Sequence, residues 1–230
     1  MTDALLLDFN GVVVDDERLH FAAFRDVLGA AGIGLEEPAY WTDYLGIDDR
    51  AAFREAFRRA GRALEPAAVR RLVERKAAAY RALASRELTL VPGVTRFVRE
   101  AARAGPVVVV SGALRAEIEI GLRLAGIDGI VTAVIAQDDV AVSKPDPAAH
   151  RLALERLAAG RAAERWRACV IEDSLPGLAA ARSLGAGCVM LTTAHARHDL
   201  AAADLVWDSF EDHAPAELVP FLRDVEVPRG

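Results

Sequence analysis

A chain of 230 residues with 53% hydrophobic content has enough apolar material for one large domain, or for a core carrying an inserted subdomain, which excludes intrinsic disorder. A net charge of −6 and a pI near 5.4 offer no basic footprint for nucleic acid. No apolar stretch approaches the roughly 18 residues of a membrane helix, and no basic segment precedes an apolar run at the start, so a cytoplasmic protein without membrane or nucleic-acid partners is expected.

In chain order, an apolar run over residues 4–8 reads as a buried strand that delivers Asp8 to its C-terminal end and breaks at Asn10-Gly11, the place where open α/β sheets put chemistry. A carboxylate there is a candidate nucleophile or metal ligand. Residues 16–29, 49–61 and 66–85 then read as helices rich in Ala, Arg and Leu, with no convincing strand among them. Pro92-Gly93 marks a return to alternation: strands at 106–111, 130–135, 168–172, 187–192 and 204–207 are interleaved with helices such as 94–104, 115–125 and 148–157. Such alternation argues for an α/β fold, a Rossmann-like parallel sheet covered on both faces, with an α-helical cap inserted after the first strand. The expected boundaries are 1–15 and 86–230 for the core and 16–85 for the cap, with 225–230 a frayed tail. There is no internal repeat.

Two smaller signals sharpen this. Only two of the 28 basic residues are lysines, Lys76 and Lys144. Against an arginine background, a compact ammonium suits a point-charge phosphate contact, and Lys144 in SKPDP fits that better than Lys76 in a charged helix. The two cysteines, Cys169 and Cys188, sit in apolar runs without CxxC or CxxH spacing and read as buried thiols.

Four segments at or just beyond strand ends, DFNGV, VVVVSGA, DDVAVSKPDP and CVIEDSLPGLAAARSLG, resemble in order and spacing the four motifs of the haloacid dehalogenase (HAD) superfamily. The helical insertion between the first two is similar to the cap of its β-phosphoglucomutase and phosphoglycolate phosphatase branch. The resemblance implies a hydrolase, a phosphatase acting on a small phosphorylated metabolite through an aspartyl phosphate at Asp8. The chemistry makes the same residues intelligible, because phosphoryl transfer needs an in-line nucleophile, a cation over the equatorial oxygens and donors that hold them. Asp8 is the nucleophile. Asp8, Glu172, Asp173 and the backbone carbonyl of Asn10 form an oxygen-only set suited to Mg²⁺. Ser111, the Gly112 amide and Lys144 would grip the phosphoryl group. Taken singly each has a plainer reading: Asp8 and Ser111-Gly112 as turn residues, Lys144 as a solvated loop lysine, and Glu172-Asp173-Ser174 as a helix cap.

Asn10 departs from the resemblance, since D-x-D-G carries a second, proton-handling aspartate there. General acid–base assistance is worth ~10²–10⁴-fold, so slow turnover is expected unless another group substitutes. His20 is the leading surrogate. Asp15, Asp16 and Glu17 are further candidates, although they read more readily as caps of the first cap helix. The amide is taken as natural; a trapping substitution and deamidation at Asn10-Gly11 are the other two origins considered. The resemblance implies that substrate choice falls to the cap and that the loop 45–50 reaches over the site, where His20, Arg50 or Lys76 could meet an anion; Arg50 and Lys76 also read as solvated helix residues. His195 and His198 form an HxxH without a third ligand beyond Asp199, and Trp41, Trp166 and Trp207 read as packing anchors. The rival functions are a phosphomutase, a phosphonate or haloacid hydrolase, and a non-catalytic phosphometabolite-binding protein, in a monomer or homodimer.

Overall fold

The computed structural model describes residues 2–45, 47–159 and 166–225. Gly46 of the loop 45–50 and the tail residues 226–230 lie outside them. Along the chain come β1 (Thr2–Leu7) and β2 (Val14–Asp15), then α1 (Glu17–Ala30), α2 (Glu37–Asp43), α3 (Asp49–Arg59) and α4 (Pro66–Glu87). After β3 (Thr89–Leu90) follow α5 (Val94–Ala104), β4 (Val107–Val110), α6 (Arg115–Ala125), β5 (Ala133–Ile135) and α7 (Ala148–Ala158). The chain closes with β6 (Trp166–Glu172), α8 (Leu175–Leu184), β7 (Gly187–Leu191), β8 (Leu205–Trp207) and β9 (Arg223–Val225). Its contacts divide it into two compact units, Met1–Asp15 with Thr89–Gly230, and Asp16–Leu88.

The first unit is built on a sheet of order β5-β4-β1-β6-β7-β8, parallel throughout. β4 is four consecutive buried valines, a run that suits a strand covered on both faces because branched side chains pack against neighbours above and below. The covering helices present narrow apolar faces: Val94, Phe97, Val98 and Ala101 of α5 are buried at helical spacing, each valine or phenylalanine contributing about 1.5–3 kcal/mol of burial. From β1 the chain proceeds to β4 and β5 on one side, then crosses back to β6, β7 and β8 on the other. The order therefore reverses at β1, and the C-terminal ends of β4, β1 and β6 border the crevice that such a reversal opens.

Several details were not visible as periodicity. β9 runs antiparallel against Trp166–Ala168, the part of β6 that β7 leaves uncovered because their ladder begins at Cys169. Val225, expected in the frayed tail, is the last residue of that strand. β2 and β3 make a two-residue antiparallel ladder, Val14 opposite Leu90 and Asp15 opposite Thr89, too short to leave an alternating pattern. α2 was missed for the same reason, being seven residues long with a proline in its first turn. α4 continues to Glu87, past the expected boundary at 85, since Ser85, Arg86 and Glu87 contain no breaker and the helix stops only where Leu88 turns extended.

The second unit is helical. Phe24 of α1 packs on Phe53 of α3 with ring centroids 4.5 Å apart, and Tyr40, Tyr44, Phe57 and Leu72 complete the centre of its core. Asp48 caps α3, its carboxylate accepting from the amides of Arg50 at 3.0 Å and Ala51 at 3.2 Å. No described helix is long and apolar enough to cross a membrane.

Candidate active site

Three neighbouring strands converge on one point. Asp8 follows β1, and its amide donates to Ile171 O at 2.9 Å, which ties it to the end of β6. Glu172 is the last residue of β6 and Asp173 the next. Ser111 follows β4, its amide held by Ile135 O at 2.9 Å and its hydroxyl accepting from the Ala113 amide at 3.1 Å. Lys144 reaches in from the loop before α7: its Nζ donates to Val110 O at 3.0 Å, lies 3.0 Å from Asp8 Oδ1 and is bonded to Glu172 Oε1. The lysine expected to be either a phosphate contact or a solvated loop residue is thus buried between two carboxylates. Gly112 lies beside Ser111, exposed, with open space where a side chain would be.

One oxygen from each of Asp8, Glu172 and Asp173 lies within 4.8 Å of the other two. All three residues are buried, at 8%, 0% and 8% exposure. Three carboxylates against one ammonium leave the cluster short of positive charge in a region that water cannot screen. Burial and the neighbouring Asp8 carboxylate push Glu172 up to about 7, against the pull of Lys144. Lys144 in turn is raised above its ordinary value, its burial outweighed by Asp8 and Glu172. Asp8 Oδ1, although in ion-pair contact with Lys144, has no well-aligned hydrogen-bond donor. An oxygen-only set with surplus charge and an uncommitted carboxylate oxygen fits a hard divalent cation. His150 of α7, 1% exposed, lacks a partner for Nδ1 among the described residues; burial, then Lys144, lowers it to about 3, so its ring is neutral at ordinary pH.

Two glycines let the carboxylates sit where they do. Gly11 is left-handed, at φ 66°, and any Cβ on it would overlap Asp173 Oδ2. Gly177, in the first turn of α8, is pressed by the Glu172 carboxylate, and a Cβ there would overlap it. Ser174 caps α8, accepting from the Gly177 amide at 3.1 Å while donating to Glu172 Oε2 at 3.0 Å, so the capping reading and the cluster coexist. Replacing Gly177 with alanine should therefore displace Glu172, and any stabilisation by a divalent cation, read as a shift in thermal unfolding, should shrink or vanish. An unchanged shift would mean that Glu172 does not hold the ion.

Asn10 lies in the turn after Asp8 and bridges to Val14, while the Gly11 amide donates to Val14 O at 2.7 Å. That bond occupies the amide a deamidating Asn10-Gly11 would need as its nucleophile. Sequence reasoning missed Thr193, which follows β7; its hydroxyl lies 2.7 Å from Gly11 O and 3.2 Å from Asp173 Oδ2. Nothing short of the fold marks a threonine nearly two hundred residues from the first motif.

The remaining candidates belong to the helical unit. His20, Lys76 and Asp16 meet there: Lys76 Nζ is 2.6 Å from His20 Nδ1 and 2.8 Å from Asp49 Oδ1, and His20 Nε2 is 3.2 Å from Asp16 Oδ2. Lys76 is only 4% exposed, which corrects the reading of a solvated helix lysine, whereas Arg50 is exposed as that reading has it. Asp16 stands at the N-cap of α1 without capping it; its carboxylate takes the Tyr80 hydroxyl and His20 instead. Glu17 accepts from Tyr40, and Asp15 is exposed on β2. His198 is exposed beside Asp199, and no metal-like grouping includes it or His195 among the described residues. Cys169 and Cys188 are buried and free.

A family model for haloacid dehalogenase-like hydrolases matches residues 2–185. Protein CbbY of Cereibacter sphaeroides is 29% identical over 239 residues, covering 92% of this chain and 94% of that protein. The crystal structure of CbbY from Rhodobacter sphaeroides with phosphate superposes with a TM-score of 0.79 at 28% identity, over 95% of this chain and 99% of that one. An aspartate-to-asparagine variant of CbbY from Rhodobacter sphaeroides, in complex with xylulose-(1,5)bisphosphate, matches with a TM-score of 0.80 at 30% identity, over 95% of this chain and 99% of that one.

Proposed function

The chain belongs to the haloacid dehalogenase-like hydrolases, and from that premise we propose that it is a Mg²⁺-dependent phosphatase that takes the phosphoryl group of a small phosphorylated metabolite onto Asp8. The observation that carries this is the Asp8, Glu172 and Asp173 cluster with Lys144 inside it, at the strand ends where the sheet order reverses. An Asp8 carboxylate oxygen attacks phosphorus, the bond to the leaving oxygen breaks, and that oxygen departs with the electron pair. Lys144, the Ser111 hydroxyl and the Gly112 amide hold the phosphoryl oxygens, the ammonium offsetting their charge. Mg²⁺, held by Asp8, Asp173, Glu172 and the Asn10 carbonyl, would neutralise the remaining charge. Water then attacks the acylphosphate, and the carboxylate returns to Asp8 as phosphate leaves.

Asn10 cannot deliver or accept a proton in either half-reaction, so the second step, in which water must be deprotonated, is the slow one. Mixing protein and Mg²⁺ with nitrophenyl phosphate should release one equivalent of nitrophenol per chain rapidly, followed by a much slower steady state, with the label on the peptide containing Asp8. Strictly linear release with no labelled peptide would reject Asp8 as a covalent nucleophile. The helical unit Asp16–Leu88 is proposed to act as the cap, with Lys76, His20 and Arg50 choosing the substrate. Asn10 also favours a second reading, a phosphometabolite-binding protein with little turnover, which the complex of the asparagine variant of CbbY supports as chemistry. Tight Mg²⁺-dependent binding without any burst would select it.

A further inference from the structure

The proton that leaves the site with the product has to come from somewhere, and the described residues restrict where. The Asn10 side chain has no acidic proton. The Lys144 ammonium donates to Val110 O and Glu172 Oε1 and stands in ion-pair contact with Asp8, 3.0 Å from its Oδ1. The Ser174 hydroxyl is committed to Glu172, and that of Thr193 to Gly11 O and Asp173. In the helical unit both ring nitrogens of His20 are engaged, by Asp16 and by Lys76, while Asp16 also takes Tyr80, and Glu17 takes Tyr40. His20, Asp16 and Glu17 would each have to abandon a partner to protonate a leaving oxygen.

We propose that this chain cleaves only phosphates whose leaving oxygen is weakly basic and departs unprotonated, namely acyl, enol and aryl phosphates with leaving groups about as acidic as a phenol (pKa about 10) or more so. Alkyl phosphates, including those on sugar carbons, bind and stay intact on the same timescale. The balance is simple: the phosphorus–oxygen bond breaks, the oxygen leaves as an anion and takes its proton from bulk water. The inference rests on Asp8 as nucleophile and narrows that reading to a substrate class.

The test is single-turnover release of the alcohol from dinitrophenyl, nitrophenyl, phenyl and ethyl phosphates with Mg²⁺, in the unaltered protein and in Asn10→Asp. The expected result is a rate that falls steeply with leaving-group basicity in the unaltered protein. The gap between the two proteins should be small for dinitrophenyl phosphate and widen to about 10²–10⁴-fold for ethyl phosphate. A shallow dependence in the unaltered protein would overturn the inference, since it means another group donates the proton; this arm needs no variant. A gap of equal size for every leaving group would overturn it too. Failure of both proteins to label Asp8 even with dinitrophenyl phosphate would instead sink the phosphatase reading on which the inference stands.

Discussion

Asn10→Asp is expected to raise steady-state hydrolysis of an alkyl phosphate by about 10²–10⁴-fold, the usual worth of a positioned general acid and base. The side chains are nearly isosteric, and the backbone around residue 10 is fixed by main-chain bonds: Gly11 N to Val14 O at 2.7 Å, and Val13 and Val14 N to Phe9 O at 2.7 and 3.1 Å. The carbonyl of residue 10 therefore stays in place, and affinity for the divalent cation should change little. The gain should fall on kcat, because a proton moves in the transition state and not in the bound substrate. With nitrophenyl phosphate the burst should merge into a linear progress curve as the second step accelerates. An increase below threefold, with the burst unchanged, would show that the site already has its acid and base elsewhere, and His20→Gln would be the next variant to assay.

How far the sequence leads here depends on whether a feature is local. The strand ends carrying Asp8, Ser111 and Glu172 were legible because each apolar run stops at a polar residue with a glycine or serine within the next three positions, and α5 and α6 begin and end where their apolar spacing does. β9 was illegible, because what makes Arg223–Val225 a strand is the uncovered edge of β6 more than fifty positions earlier. Lys76 was misread for a related reason. Its helical neighbours are arginine and glutamate, and only the arrival of Asp49 and His20 from other helices makes a buried ammonium tolerable. Nothing in the sequence marks Gly177, yet its missing side chain is the space the Glu172 carboxylate occupies. Motif order identified the chemistry, but the partners that tune it come from chain far away.

Lys144→Met is expected to lower stability by about 3–5 kcal/mol near neutral pH and to reduce phosphoryl transfer by about 10²–10³-fold. The ammonium is the shared counter-ion of Asp8 and Glu172, and methionine fills similar volume without charge, so the loss reads the electrostatics and not a cavity. The pH dependence follows from the direction of each shift. In the unaltered protein Glu172 is raised from 4.5 to about 7, so the native state holds a proton that the unfolded chain has released, and its contribution falls as pH rises through that window. Lys144 is raised above 10.5, so its contribution is whole below that value and lost only in strong alkali. Removing it withdraws the one cation that pulls Glu172 down, and the window of falling stability should deepen and extend above pH 7. The deficit should therefore shrink as pH is lowered towards 4.5, where Glu172 neutralises itself. Mg²⁺ should restore part of it at neutral pH, because a divalent ion supplies charge to the same oxygens. Urea unfolding at pH 5 and pH 8, with Mg²⁺ and with chelator, separates these contributions. A deficit below about 1 kcal/mol that ignores both pH and Mg²⁺ would show that Asp8 and Glu172 do not depend on Lys144 for their charge.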